Sequence, residues 1–196
     1  MDIVVLTLIS LTAIQFKLLN KGVAKIFKGI TNLEQADVVI RERIQKYKNH
    51  HAFLMTFRNE LNNLFSNAIL AYMGVIITTQ CTELYVLFSW NSIQEGIRAV
   101  LYASTMFFEL YICYCLPAQD LIDEAEKLPI SIYCSKWYQY PNHFKDVLLL
   151  LGQFQLNMLI SAGGVAILDI QTGFAALKSM VSYFAFLRTV GASSEK

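Results

Sequence analysis

Apolar residues along this chain fall into long runs, separated by stretches that hold nearly all of its charge. Met1 to Phe16 is apolar apart from Asp2 and Gln15, and the run stops at Lys17. A hydrocarbon core of roughly 30 Å needs about 20 helical residues. Sixteen therefore read as the tail of a spanning helix that starts upstream, in a fragment or a truncated gene model. Lys17, Lys21, Lys25 and Lys28 follow at helical spacing. A solvated face beside a membrane is the simpler reading of that row, ahead of a dedicated lipid site. Thr31 to Asp37 is a polar break.

A clearer period comes next. Ile40, Ile44, Tyr47, His51, Leu54, Phe57, Leu61 and Leu64 recur at steps of three or four, with Arg41, Arg43, Lys46, Lys48 and Arg58 between them. That pattern is an amphipathic helix, and no breaker separates it from the apolar stretch Phe65 to Leu84. One long helix is expected, leaving the membrane to pack on other helices, with His50 and His51 as packed or solvated side chains. A second span is expected over Ile97 to Leu116, after a polar loop from Ser89 to Gly96. Between Pro117 and Pro141 a helix and then a loop are expected; the acidic group Asp120, Asp123, Glu124 and Glu126 reads as a solvated helix start. From His143 the chain turns helical again. Gln153, Gln155 and Asn157 interrupt it, and amides facing lipid would cost several kcal/mol each, so this segment belongs inside protein or below the membrane. Ser161 to Gly164 is a break, and Val165 to Arg188 is long enough to span.

Composition sharpens this picture. Of 196 residues, 55% are hydrophobic and 16% charged, with mean hydropathy +0.43; soluble domains run nearer 25% charged. The fold class is all-α, a polytopic transmembrane helix bundle. A net charge of +1 favours no nucleic-acid partner. Cys81, Cys113, Cys115 and Cys134 make no disulfide framework in a chain this long and read as buried free thiols. The N-terminus has no basic region or cleavage site of a signal peptide. No metal-binding, nucleophile or phosphate-loop motif appears, so neither an enzyme nor a cofactor is expected.

Charge also gives a direction. Nine of the 16 Lys and Arg lie between Lys17 and Arg58, and Lys127, Lys136 and Lys145 lie between the later spans. The Ser89–Gly96 loop has none. The positive-inside rule puts the basic connections in the cytoplasm, so the last helix runs outward.

The closing segment, Ser161-Ala-Gly-Gly-Val165 through Lys178-Ser-Met-Val-Ser-Tyr-Phe-Ala-Phe-Leu-Arg188, resembles the seventh helix of insect odorant receptors, whose pattern is close to T-A-G-G…L-K-x-S-Y-S-Y-F-x-x-L-R. Glu109-Leu-Tyr-Ile-Cys-Tyr-Cys115, followed by Leu121 and Glu124, resembles the family's E-L-x-x-Y-C segment. Trp137-Tyr138 before Phe144-Lys145 resembles its approach to the seventh helix, and Gln15-Phe16-Lys17-Leu18-Leu19 the inner end of its fourth. Met180-Val181 and Asp169 depart from the pattern. The resemblance covers the whole chain and implies the C-terminal half of an odorant-receptor fold. In that reading residues 1–20 end helix four and 21–62 form a cytoplasmic helical anchor. Residues 63–88 are helix five, 89–96 an extracellular loop and 97–116 helix six. Residues 117–164 are a cytoplasmic loop and helix, 165–190 the last span and 191–196 an extracellular tail.

Such a family implies a ligand-gated, non-selective cation channel, in a heterotetramer with a shared odorant co-receptor, in the plasma membrane of olfactory sensory neuron dendrites. Its ligands are small volatile hydrophobic molecules. The resemblance makes Phe186 and Val190 the gate, with Ser182 one turn further in. Lys178 is an intramembrane charge, expected to point away from the pore axis or to be neutralised. Tyr72, Ile76 and Thr79, with Tyr102, Thr105 and Met106, are candidate ligand-pocket residues, an apolar set with a few hydroxyls. A gustatory receptor is the alternative of the same architecture, but its T-Y-x-x-x-x-Q-F pattern fits less well. A seven-helix G-protein-coupled receptor is the other alternative, and it would need D-R-Y and N-P-x-x-Y motifs absent here.

Overall fold

The computed structural model describes residues 2–29, 36–88 and 93–194, with the side chains of residues 2, 87, 88, 184 and 187–194 outside the described set. Among the described residues six α-helices run in order: α1 (Asp2–Val23), α2 (Ala36–Phe88), α3 (Ile93–Glu109), α4 (Leu116–Tyr133), α5 (Phe144–Phe154) and α6 (Ile170–Ser194). A small antiparallel hairpin, β1 (Ser161–Ala162) with β2 (Ala166–Ile167), joins α5 to α6.

Helix α1 does not stop where its apolar run stops. Lys17 and Lys21 continue it to Val23, giving 22 residues, about 33 Å and enough to cross a bilayer. Its end is held from outside. Arg43 on α2 donates from one guanidinium nitrogen to the carbonyls of Ile26 (2.8 Å), Lys28 (2.9 Å) and Lys25 (3.4 Å). Those oxygens belong to the turn after the helix, where C-terminal carbonyls lack intrahelical partners.

The expected long helix is present as α2, 53 residues and about 80 Å long. It contains no proline and only one glycine, Gly74. Its periodic residues face inward where predicted: Ile40, Ile44, His51, Leu54 and Leu61 are buried, whereas Leu64 is 72% exposed. His51 sits between Phe16 of α1 and Phe154 of α5, at centroid distances of 6.0 and 4.9 Å. Residues 31–35 of the Thr31–Asp37 break lie outside the described residues, and Ala36 and Asp37 already belong to α2.

The second span differs from expectation at both ends. It starts at Ile93, so the last four residues of the supposed Ser89–Gly96 loop are helical; residues 89–92 lie outside the described residues. Nor does it end at Leu116. A π-helical turn, Leu110–Cys115, passes straight into α4. Pro117 accounts for that turn. It has no N–H for the carbonyl of Cys113, and the wider turn closes instead with the Leu116 N–H on the Tyr111 carbonyl. Cys81 and Cys115 are buried free thiols, but Cys134 is exposed.

The core forms mainly where α1 lies along α4, with α3 and α6 packed on the other half of α2. Phe16, Leu19 and Ile26 meet Leu121, Leu128 and Ile132, all fully or almost fully buried. Gln155 and Asn157 after α5 are exposed rather than buried in protein, and the Asn157 carbonyl accepts from Arg58 at 3.3 Å.

Three helical stretches, Ile3–Val23, Ala36–Val86 and Ile93–Gln139, contain a window apolar and long enough to cross a membrane. The chain is a membrane protein. Helix α6, at 25 residues, is also long enough to span, and its described part carries Gln171, Lys178, Ser179 and Ser182.

Candidate functional site

The last helix begins at Ile170, five residues after the expected Val165. Asp169, the odd charge of the sequence pattern, explains the start: its carboxylate accepts the Thr172 N–H at 2.6 Å, as a helix N-cap does. Residues 161–167 are used instead to fasten this helix to α2. Gly163 and Gly164 have φ of +60° and +69°, left-handed angles that glycine adopts without steric cost, in the three-residue loop between the paired Ala162 and Ala166. The turn presses on α2. The Gly163 N–H donates to the Ser66 carbonyl (3.0 Å) and hydroxyl (2.7 Å), Ser66 donates in turn to the Ser161 carbonyl, and Asn62 accepts the Ser161 N–H at 2.8 Å.

From that anchor α6 lies on the bundle by one narrow face. Gly173 and Met180 are its buried positions. A Cβ on Gly173 would stand 2.9 Å from Cys115 Sγ and 3.3 Å from the Tyr111 ring, so the absent side chain is what lets the π turn sit against α6. Tyr111 stacks on Phe107 at 4.6 Å and meets Phe174 edge-on at 5.7 Å. One turn further, Leu177 and Met180 close a cavity of only about 10 Å³ with Ile76, Gln80, Met106, Phe107 and Leu110.

The opposite face is open. Ser182 is nine residues from Gly173, about half a turn around the helix, and it is exposed, as are Lys178 and Phe186. The three share a face at steps of four. Lys178 lies on that face one turn before Ser182. Val190 falls within α6, but its side chain lies outside the described residues.

Of the six ligand-pocket candidates, the structure brings two together: Ile76, 1% exposed, and Met106 border the same small cavity. Tyr72 does not line it; its hydroxyl donates to Glu109 and its ring is tilted against Tyr114 at 5.8 Å. The Thr79 hydroxyl is taken up by the carbonyls of Val75 and Ile76. Tyr102 and Thr105 point outward, with Tyr102 48% exposed. Sequence reasoning missed Gln80, which bridges α2 to the Ala103 carbonyl of α3 at 2.9 Å, and the Tyr111–Gly173 contact. A buried glutamine in an apolar run was the available signal for the first.

The 7tm odorant receptor family model matches residues 1–181. Odorant receptor 33c of Drosophila melanogaster is 28% identical over 152 residues, 76% of this chain and 39% of that one. Odorant receptor 13a of the same fly is 24% identical over 202 residues, 96% of this chain and 48% of its own length. A solved insect olfactory receptor, OR5 of Machilis hrabei in complex with eugenol, superposes with a TM-score of 0.84 at 16% identity, over 96% of this chain and 47% of that one. The chain thus spans half or less of the length of these relatives. With its hairpin, its π turn and the start of its last helix inside the matched residues, this chain belongs to the 7tm odorant receptor family.

Proposed function

We propose that this chain supplies helices four to seven of a subunit of a ligand-gated, non-selective cation channel that opens to volatile odorants. It works in the plasma membrane of olfactory dendrites, assembled with a shared odorant co-receptor. The observation that carries this reading is the outward face of α6. A helix held on its bundle by Gly173 and Met180, and turning Lys178, Ser182 and Phe186 away from it, suits a wall with water rather than lipid on the far side. Phe186 and Val190 then form the constriction, which closes by dewetting and opens when the helix shifts. Lys178, facing the same water-filled space, opposes cations and stands inward of the constriction in this orientation.

The small cavity supplies the coupling. Ile76 and Met106, the ligand-pocket candidates that converge, share it with Leu177 and Met180 of α6. Protein interiors are close-packed, so a ligand that widens this seam must displace α6. The Machilis receptor was solved with eugenol bound; a ligand of that size enters this seam only by opening it. Full-length receptor, expressed with the co-receptor and challenged with an odorant panel, tests the reading. Odorant-evoked cation current is expected; surface-expressed receptor that stays silent across a broad panel counts against it.

A further inference from the structure

The far end of α1 carries a second exposed surface, separate from the outward face of α6. Ile3, Leu11, Ile14 and Leu18 form an exposed apolar stripe, between 50% and 79% open. Lysines continue that stripe at steps of seven residues, two helical turns: Ile14 leads to Lys21 and Lys28, and Leu18 to Lys25. All three lysines are exposed. The chain keeps winding beyond Val23, through the bonds of Ala24 N–H to the Asn20 carbonyl, Lys25 N–H to Gly22 and Lys28 N–H to Lys25.

This basic end is built rigidly. Ile26 and Phe27 of the same turn are buried, and Phe27 stacks on Tyr140 at 5.7 Å. Arg43 takes the three carbonyls of the turn. Gly22 lies so close to Tyr47 that a Cβ there would stand 2.5 Å from its ring. Burying the turn's apolar residues and tying down its carbonyls leaves Lys25 and Lys28 on the outside. Among the described residues none of Lys21, Lys25 and Lys28 pairs with a carboxylate. Lys17, in contrast, lies near Glu124, whose carboxyl is held below the usual range first by its hydrogen bond from Lys127 and further by Lys17.

We propose that Lys21, Lys25 and Lys28 form a binding surface for anionic phospholipid headgroups, directly beneath the acyl chains that cover the Leu11–Leu18 stripe. An apolar stripe that leads into three cations, none paired with a carboxylate among the described residues, matches the two halves of one lipid molecule. Basic clusters next to a membrane helix attract acidic lipids at a strength of roughly fivefold in affinity per lysine. The proposal goes beyond the channel reading and does not depend on it, because lipid retention is measured without current.

The test uses the whole chain in nanodiscs of mixed phosphatidylcholine and phosphatidylserine, with retained lipid counted by native mass spectrometry. Wild type is expected to keep phosphatidylserine in excess, and to lose the excess in high salt. The triple variant Lys21→Gln, Lys25→Gln, Lys28→Gln is expected to bind it on the order of 100-fold more weakly, with its helical circular dichroism unchanged. A control, Lys136→Gln with Lys145→Gln, removes two exposed lysines elsewhere and is expected to behave as wild type. An equal excess in the triple variant overturns the proposal, as does equal loss in the control. Displacement of the lipid by an equal concentration of inorganic phosphate also overturns it, since the site would then recognise phosphate without the lipid.

Discussion

Replacing Gly163 with alanine tests the anchor of α6. Two costs follow from the geometry. The residue has φ +60°, and an L side chain in the left-handed region costs about 1–2 kcal/mol. A Cβ there would also lie 2.3 Å from Leu70 Cδ2, with Cγ at 3.1 Å and Cβ at 3.2 Å; overpacking of this kind costs about 1–3 kcal/mol. Gly163→Ala should therefore destabilise by about 2–5 kcal/mol. Its neighbour separates the two terms. Gly164 has φ +69° but nothing within 4 Å of its Cβ position, so Gly164→Ala should cost the backbone term alone, about 1–2 kcal/mol. In a Leu70→Ala background the contacts to Cδ2 and Cγ are lost and only the Cβ at 3.2 Å remains, so the cost of Gly163→Ala should fall most of the way to that value. The assay is the thermal midpoint of the purified chain in detergent, at about 2–4 °C per kcal/mol for a protein of this size. Equal midpoints for Gly163→Ala and Gly164→Ala, or no relief from Leu70→Ala, would refute the claim that the hairpin is wedged on α2.

Three further outcomes are expected. Arg43→Met removes a charged donor from three carbonyls and should cost about 2–3 kcal/mol, with faster amide hydrogen exchange confined first to residues 24–28. Burial between two phenylalanine rings, with His50 beside it, lowers the pKa of His51 to about 4; His51 lies on the cytoplasmic stretch of α2 in the proposed orientation. Because the unfolded chain then binds the proton more readily, stability is full above about pH 6.5 and falls as pH drops toward 4, by about 3 kcal/mol in all. His51→Phe should flatten that slope in a pH series of thermal midpoints, and an unchanged slope would rule out His51 as its source. Gly173→Ala pushes α6 off Tyr111 and Cys115 and should alter resting current while leaving surface expression near wild type; unaltered gating would show that this contact does not seat the helix.

Periodicity was enough for α2, because a stripe at steps of three and four over many turns has no other solution. It also located the break at Ser161–Gly164. Boundaries were another matter. The lysines after Phe16 looked like an end because lysine marks the membrane edge, yet lysine is also a good helix former, and α1 runs through two of them. Val165 and Ile167 read as helix from hydropathy, although Asp169 as N-cap and two glycines before it meant a turn first. The shared face of Ser182 and Phe186 was legible from spacing alone. What lay beyond sequence was which way that face turned, since Gly173 and Met180 define the inner side only once Tyr111, Cys115 and the α2–α3 seam are in place.

The central claim is that water reaches the outward face of α6. It is tested most directly by single cysteines in the full-length receptor with its co-receptor, on a Cys134→Ser background that removes the exposed native thiol. A charged thiol reagent is applied during odorant-evoked current. Lys178→Cys, Ser182→Cys and Phe186→Cys should all show modified current, faster with the channel open, whereas Met180→Cys, 3% exposed and turned inward, should not. Modification at Met180→Cys as fast as at Ser182→Cys, or persistent current untouched at both Ser182→Cys and Phe186→Cys, would contradict the account.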